Sequence, residues 1–244
     1  MEFQFGTNWA SFSRYAGGVI GQTLAMESMF AFFLESAFVG ALIWGEKQLG
    51  PRYHFVAAVG VALGSWLSGF FILVTNAFMQ HPLGYQVDSD GLLGMASLRA
   101  YLLNPWACVQ FSHNQAAALV TGSFVIAAVG AFYTLRRLHP TQAQLYLRAG
   151  TLVGLIASLL VAFPTGDQQA EAVGHHQPVT LAAMEGKFVG EPRAGVALIG
   201  QPNVEARRLD NPMEVPGALS FLAYGTMRPW SANRISLLRP QREC

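Results

Sequence analysis

Hydrophobic positions in this chain gather into long runs separated by short polar stretches marked with Gly and Pro. Runs at about 17–45, 54–78, 108–135 and 145–163 match the roughly 20 apolar residues that a membrane-spanning helix needs. A further run, 215–227, starts a fifth helix but is too short to span by itself. The pattern predicts an all-α fold, a polytopic transmembrane helical bundle with four full spans plus a partial fifth. Residues 1–16 carry no helical apolar period and read as an interfacial segment, with Trp9 and Tyr15 suited to the headgroup zone. The connection 46–53 turns at Gly50-Pro51. The connection 79–108 holds a short amphipathic piece around 96–103, and Asn104-Pro105-Trp106 leads into the third span. Pro164-Thr165-Gly166 is expected to stop the fourth span, and a polar loop follows at 164–214. The second half of TLAAMEGKF in that loop predicts a short helix bearing Glu185. Adjacent His175 and His176 would diverge on a helix and face opposite ways on a strand, so they read as loop residues and not as a metal pair. Residues 228–244 form a basic tail.

The polar exceptions inside the runs carry the chemistry. Glu27 and Glu35 lie in the middle of the first run, where each acid costs roughly 2.5–3.5 kcal/mol on insertion scales. Each of Phe30, Phe32, Phe33 and Leu34 returns only about 0.3–0.6 kcal/mol. The acids should therefore face a protein interior, a cofactor or a water path. On a regular helix they stand roughly 80° apart in rotation and roughly 12 Å apart along the axis, a geometry suited to stepwise proton transfer. Ala31, between them, is expected to leave room beside the helix. The blander reading is two buried acids hydrogen-bonded to neighbouring helices.

The second run holds Gly60, Gly64 and Ser68 at four-residue spacing, a small-residue stripe that permits close helix approach. Ser65, Ser68 and Asn76 form a polar stripe that could meet the two carboxylates, or make ordinary interhelical hydrogen bonds. In the third run, His113 is followed at i+3 and i+4 by Ala116 and Ala117, which leave a flat space above the imidazole. A planar macrocycle with iron held by histidine fits such a face; a plain interfacial histidine is the alternative.

Composition narrows the class. Of the 244 residues 52% are hydrophobic and 12% charged, which is a membrane-protein balance. A net charge of +1 gives no case for nucleic acid. Cys108 and Cys244 make no CxxC or CxxCH motif, so any haem is held non-covalently. The N-terminus lacks the basic region of a signal peptide. Lys47, Arg52, Arg136, Arg137 and Arg148 flank the connections after spans one and three, whereas the N-terminal segment and the connection after span two hold only Arg14 and Arg99. The positive-inside rule then puts the N-terminus and the long loop outward.

Five segments carry a family resemblance: MEFQFGTNW (1–9), AMESMFAFFLES (25–36), ALGSWLSGFFILVTNAFMQHP (62–82), FSHNQAAALVTG (111–122) and QPVTLAAMEG (177–186). In this order they resemble subunit I of cytochrome bd-type quinol oxidases over about residues 1–226. The resemblance implies a multi-pass protein of the bacterial cell (inner) membrane that oxidises quinol and reduces dioxygen to water with cytoplasmic protons. It implies subunit II as a partner besides the lipid bilayer. By the same resemblance His113 is an axial ligand of low-spin haem b, and Glu27, Glu35, Ser68 and Asn76 line a proton path. Glu185 and its neighbour Gln177 belong to the quinol-binding loop. Thr180 stands where many relatives have lysine. The ligands of the high-spin haem b and of haem d lie in family regions outside this chain, which is expected to be inactive alone. From Met227 onward the sequence no longer resembles the family, as a gene fragment or a frame change would read. A proton-coupled transporter using the two acids is the alternative from another class, but it predicts inverted repeats and broken helices that the sequence does not show.

Overall fold

The computed structural model describes residues 7–188 and 193–224; residues 1–6, Met227 and the tail 228–244 lie outside the described residues. The chain divides into two compact units, residues 1–111 and 112–244. Among the described residues, four helices are long and apolar enough to cross a membrane.

In the first unit, α1 spans Ala10–Trp44. It starts well before position 17, so residues 10–16 of the segment read as interfacial are helix. Backbone hydrogen bonding continues past the apolar run because Ala10–Tyr15 lie beyond the part that needs lipid-compatible side chains. Within α1, Glu27–Phe32 is a π-helical segment. Its wider turns mean that a count of 100° per residue does not carry from Glu27 to Glu35. Helix α2, Glu46–Gln80, follows directly. The expected loop at 46–53 is a helical turn that breaks only at Gly50, whose φ of 71° and ψ of 166° precede Pro51. Glycine takes that left-handed φ without a Cβ penalty, and Pro51 restarts the helix at a position tolerant of its missing N–H.

The stripe on α2 is where α1 docks. A Cβ built on Gly64 would lie 2.8 Å from the backbone nitrogen of Glu35, and one on Gly60 would meet the Phe38 ring at 2.5 Å. Only hydrogen fits at Gly64, because the atom facing it is main chain. Ala31 is fully buried, which corrects the expectation of open space beside it. The π segment packs against α2, so the small side chain is a contact and not a gap.

The connection after α2 contains an antiparallel hairpin, β1 Tyr85–Val87 with β2 Leu93–Met95. Gly94 of β2 bridges to Gly18 of α1. Helix α3, Leu98–Leu102, is capped by Ser97, whose hydroxyl accepts from Ala100 N. Asn104 then serves two helix ends at once. Its Nδ2 donates to the carbonyl of His81, just past α2, and its Oδ1 accepts from Trp106 N at the start of α4. Helix α4 covers Pro105–Arg136.

In the second unit, α4 turns into α5, Pro140–Leu160, through residues 137–139. The fourth span thus begins at Pro140 and not near 145, because proline is pre-set for the first helical turn. Gly150 of α5 lies so close to α4 that an added Cβ would be 2.6 Å from Ala127 N. The fourth span breaks at Phe163, beside the expected stop at Pro164, but the chain does not open into a loop there. It passes through a π-type segment, Val161–Gly166, with a non-helical Phe163, and continues as α6, Asp167–His176. Helix α7 is Pro178–Met184, and a hairpin of two eight-residue strands follows, β3 Val196–Asn203 with β4 Arg208–Val215. The stretch expected to be a loop is therefore largely ordered. Leu181 of α7, Ala194, and Leu219 and Ala223 of α8 (Ala218–Tyr224) make a small core with Val173 and Val196. Val215 ends β4, so the partial fifth helix begins later than position 215.

The tip of that hairpin is held by polar bonds. Asn203 Nδ2 and Arg208 Nε donate to the two carboxylate oxygens of Asp210 at 3.0 and 2.7 Å. These donors, Asn203 before Arg208, hold the Asp210 carboxyl below its ordinary value. The ionised form favours the hairpin above the ordinary carboxyl range, and that influence fades as pH falls through the depressed value.

Two measurements check this packing. Gly64→Val should lower stability in detergent by about 1–3 kcal/mol through overpacking. Gly21→Ala, where nothing lies within 4 Å of the added Cβ, should leave the unfolding temperature unchanged or raised. Carbon NMR of the carboxyl should give Asp210 a midpoint under 3.8, and Asn203→Ala should move it up towards 3.8.

Candidate functional site

Glu27 opens the π segment of α1, and Glu35 sits in the first turn after it. Both are half-buried. Ser68 Oγ donates to Glu27 Oε1 at 2.8 Å, and Ser65 Oγ donates to Glu35 Oε1 at 2.9 Å. Each acid thus receives a hydroxyl from α2, one turn apart, as the polar stripe predicts. Glu27 Oε2 is also sequestered from solvent.

Asn76 does not join them. It donates to Gln110 Oε1 at 3.2 Å and accepts from Gln80 Nε2 at 3.2 Å. Its rotation matches the stripe, but it stands two turns beyond Ser68, roughly 12 Å along the axis. At that depth α1 presents Thr23, and Thr23 is engaged by Thr75.

The Thr23 contact is part of a cluster that the sequence reading missed. Thr23 Oγ1 lies 2.6 Å from Thr75 Oγ1 and 2.9 Å from the Tyr101 hydroxyl, and all three side chains are buried. Each threonine hydroxyl also has a carbonyl acceptor on its own helix at 3.1 Å, that of Ile20 or Phe71. The three hydroxyl protons cannot fill every contact at once, and the cluster ties α1, α2 and α3 together through one polar knot. Thr23 precedes Glu27 by one helical turn, and that spacing was the available signal. His54 was missed as well; its Nε2 meets the Leu42 carbonyl at 2.8 Å across the α1–α2 turn.

His113 is half-buried on α4, with Ala116 buried beside it. Its Nδ1 lies 3.2 Å from Thr165 Oγ1. A Cβ added at Gly166 would sit 3.7 Å from the ring's Cε1, so the chain after α5 runs along the imidazole. Among the described residues no three His, Cys, Asp or Glu side chains assemble as a metal site. His113 is therefore a single-imidazole donor, and an imidazole with one nitrogen held and small residues alongside is chemically suited to be an axial ligand of haem iron.

Gln177 and Glu185 sit at opposite ends of α7, as its flanking cap residues, and are not side-by-side neighbours. Glu185 Oε2 accepts from Ala197 N of β3 at 3.3 Å, while Gln177 Oε1 accepts from Thr180 Oγ1 at 3.3 Å. The predicted helix covers the first half of its motif, so Glu185 ends it. Next to Glu185, Gly186, Lys187, Phe188 and Leu209 line an open groove of about 240 Å³. Lys187 is held there by both Glu214 oxygens, at 2.9 and 3.0 Å. His175 and His176 lie in the last turn of α6 and not in a loop, and His175 is 3.7 Å from Glu171.

The sequence profile of cytochrome bd terminal oxidase subunit I matches residues 1–231. The chain belongs to the cytochrome bd oxidase subunit I family. The family match runs past position 227, where the motif resemblance ends. The chain is 39% identical over 225 residues to the cytochrome bd-II ubiquinol oxidase subunit 1 of Escherichia coli (strain K12), covering 91% of this chain and 44% of that protein. It is 38% identical over 225 residues to the cytochrome bd ubiquinol oxidase subunit 1 of Bacillus subtilis (strain 168), covering 91% of this chain and 47% of that one. Among solved structures, bd oxidase from Geobacillus thermodenitrificans is similar with a TM-score of 0.75 and 29% identity, covering 89% of this chain and 50% of that chain. The chain thus spans about half the length of the relatives it matches. With four membrane-length helices, this member of the family is an integral membrane protein.

Ser68→Ala should cost between about 0.5 and 3 kcal/mol in detergent unfolding, the range for one hydrogen bond to a neutral or charged acceptor. The same variant should shift the infrared carboxyl band that Glu27→Gln removes. Ser65→Ala, at an exposed position, should cost less.

Proposed function

We propose that the chain forms part of subunit I of a membrane quinol:oxygen oxidoreductase. The observation that carries this reading is the acid pair of α1, each carboxyl met by a hydroxyl from α2. Two acids kept in an apolar helix are costly, and a reaction that consumes protons inside the membrane gives them a use. Glu35 and Glu27, with Ser65 and Ser68 bridging to α2, form successive stations of a proton path; Asn76 extends the polar line towards Gln110. His113 is the axial ligand of a low-spin haem b, which when bound supplies one-electron transfer. Glu185, at the end of α7, is the proton acceptor for quinol, with Gln177 at the other end of the same helix. The high-spin haem b, haem d and subunit II complete the assembly, in a bacterial inner membrane with the N-terminus outward. Dioxygen is the terminal electron acceptor.

The test is a reduced-minus-oxidised visible spectrum of the purified chain supplied with haem b. A b-type band is expected, and His113→Ala should abolish it. Glu27→Gln and Glu35→Gln should leave the band in place and lower quinol:oxygen turnover of the assembled oxidase roughly 10²-fold or more, the usual loss when a proton-transfer group is removed. An undiminished band in His113→Ala, or full turnover in both glutamine variants, would overturn the reading.

A further inference from the structure

We infer that Thr165 is a positioning residue for His113, fixing the imidazole in the tautomer with hydrogen on Nδ1 and the lone pair on Nε2. Protons at the break after α5 can be counted. In a regular helix the Leu160 carbonyl would accept from the N–H four residues on, but that residue is Pro164, which has none. The Thr165 hydroxyl donates to this carbonyl at 2.7 Å. A hydroxyl has one proton to give, so towards His113 it presents lone pairs only. The 3.2 Å contact between Thr165 Oγ1 and His113 Nδ1 is then a bond in which Nδ1–H donates. A neutral imidazole carries one N–H and one free nitrogen, so Nε2 is left as the electron-pair donor.

The helix break and the histidine are coupled by this one side chain. Proline removes the N–H that a regular helix would send to this carbonyl, the carbonyl takes the hydroxyl's proton, and the hydroxyl selects the ring tautomer. Gly166 keeps the adjoining backbone against the ring, since an added Cβ would sit 3.7 Å from Cε1. An outer bond of this type fixes the orientation and basicity of a histidine that ligates a metal. The purpose of the arrangement rests on the proposed haem-ligand role of His113; the tautomer itself does not.

The experiment uses the full chain in detergent, labelled with ¹⁵N-histidine and free of haem, above the ordinary imidazole range near pH 6.5. His113 is assigned by its loss in His113→Gln. The expected result is an Nδ1–H tautomer for His113 in the parent and in Thr165→Ser, and loss of that preference in Thr165→Val. On adding haem b, Thr165→Val should bind it about 10- to 100-fold more weakly, with Thr165→Ser near the parent. An Nε2–H tautomer in the parent overturns the inference, and this needs no variant to fold. So does an unchanged tautomer, or undiminished haem affinity, in Thr165→Val. A parent that shows the Nδ1–H tautomer but binds no haem overturns the ligand role of His113 and leaves the tautomer assignment standing.

Discussion

Two carboxyl groups in the middle of an apolar helix set the terms for the rest of the first unit. Each needs hydrogen-bond donors that lipid cannot provide. The donors come from Ser65 and Ser68 on α2, and they reach only because α2 approaches closely enough for Gly64 to face the Glu35 backbone. A Cβ at Gly64 would lie 2.8 Å from the Glu35 backbone nitrogen, so a side chain there pushes the two helices apart. Backbone proximity, polar satisfaction and the placement of the acids are thus one requirement and not three. The π segment beginning at Glu27 belongs to the same requirement, since it sets the direction of Glu27 relative to Glu35.

Around this contact the helices are joined by polar ties at several depths. His54 closes the α1–α2 turn at one end, and the Thr23, Thr75 and Tyr101 hydroxyls bind α1, α2 and α3 at the other. Asn104 joins the end of α2 to the start of α4 with a single amide. Hydrophobic burial does not favour helix association in lipid as it does in water, so small-residue contacts and hydrogen bonds carry a larger share of specificity. The second unit repeats the logic. Gly150 admits the α4 backbone, and at the break by Pro164 the Leu160 carbonyl accepts from the Thr165 hydroxyl, which in turn meets His113.

The sequence by itself determined the membrane class and the existence of the four long helices, because the length of an apolar run and the cost of burying backbone in lipid leave few alternatives. It also showed that Glu27 and Glu35 should not face lipid, and the Gly60–Gly64–Ser68 stripe marked a face of α2 open to close helix approach. Helix ends were less legible. The turns from Ala10 and from Pro140 lie outside the apolar runs, where continued helix depends on capping and on the neighbouring chain. Only the tertiary structure decided which polar residues pair. Asn76 shares the rotation of Ser68 but not its depth, so it meets Gln110 and not an acid. Ala31 marks a contact because α2 fills the space that its small side chain leaves. Thr165 looked like part of a stop signal, and its bond to a histidine 52 positions away depends on how α5 folds back along α4. Local periodicity fixes which way a residue points on its own helix; what it meets there is set by the level at which another segment crosses.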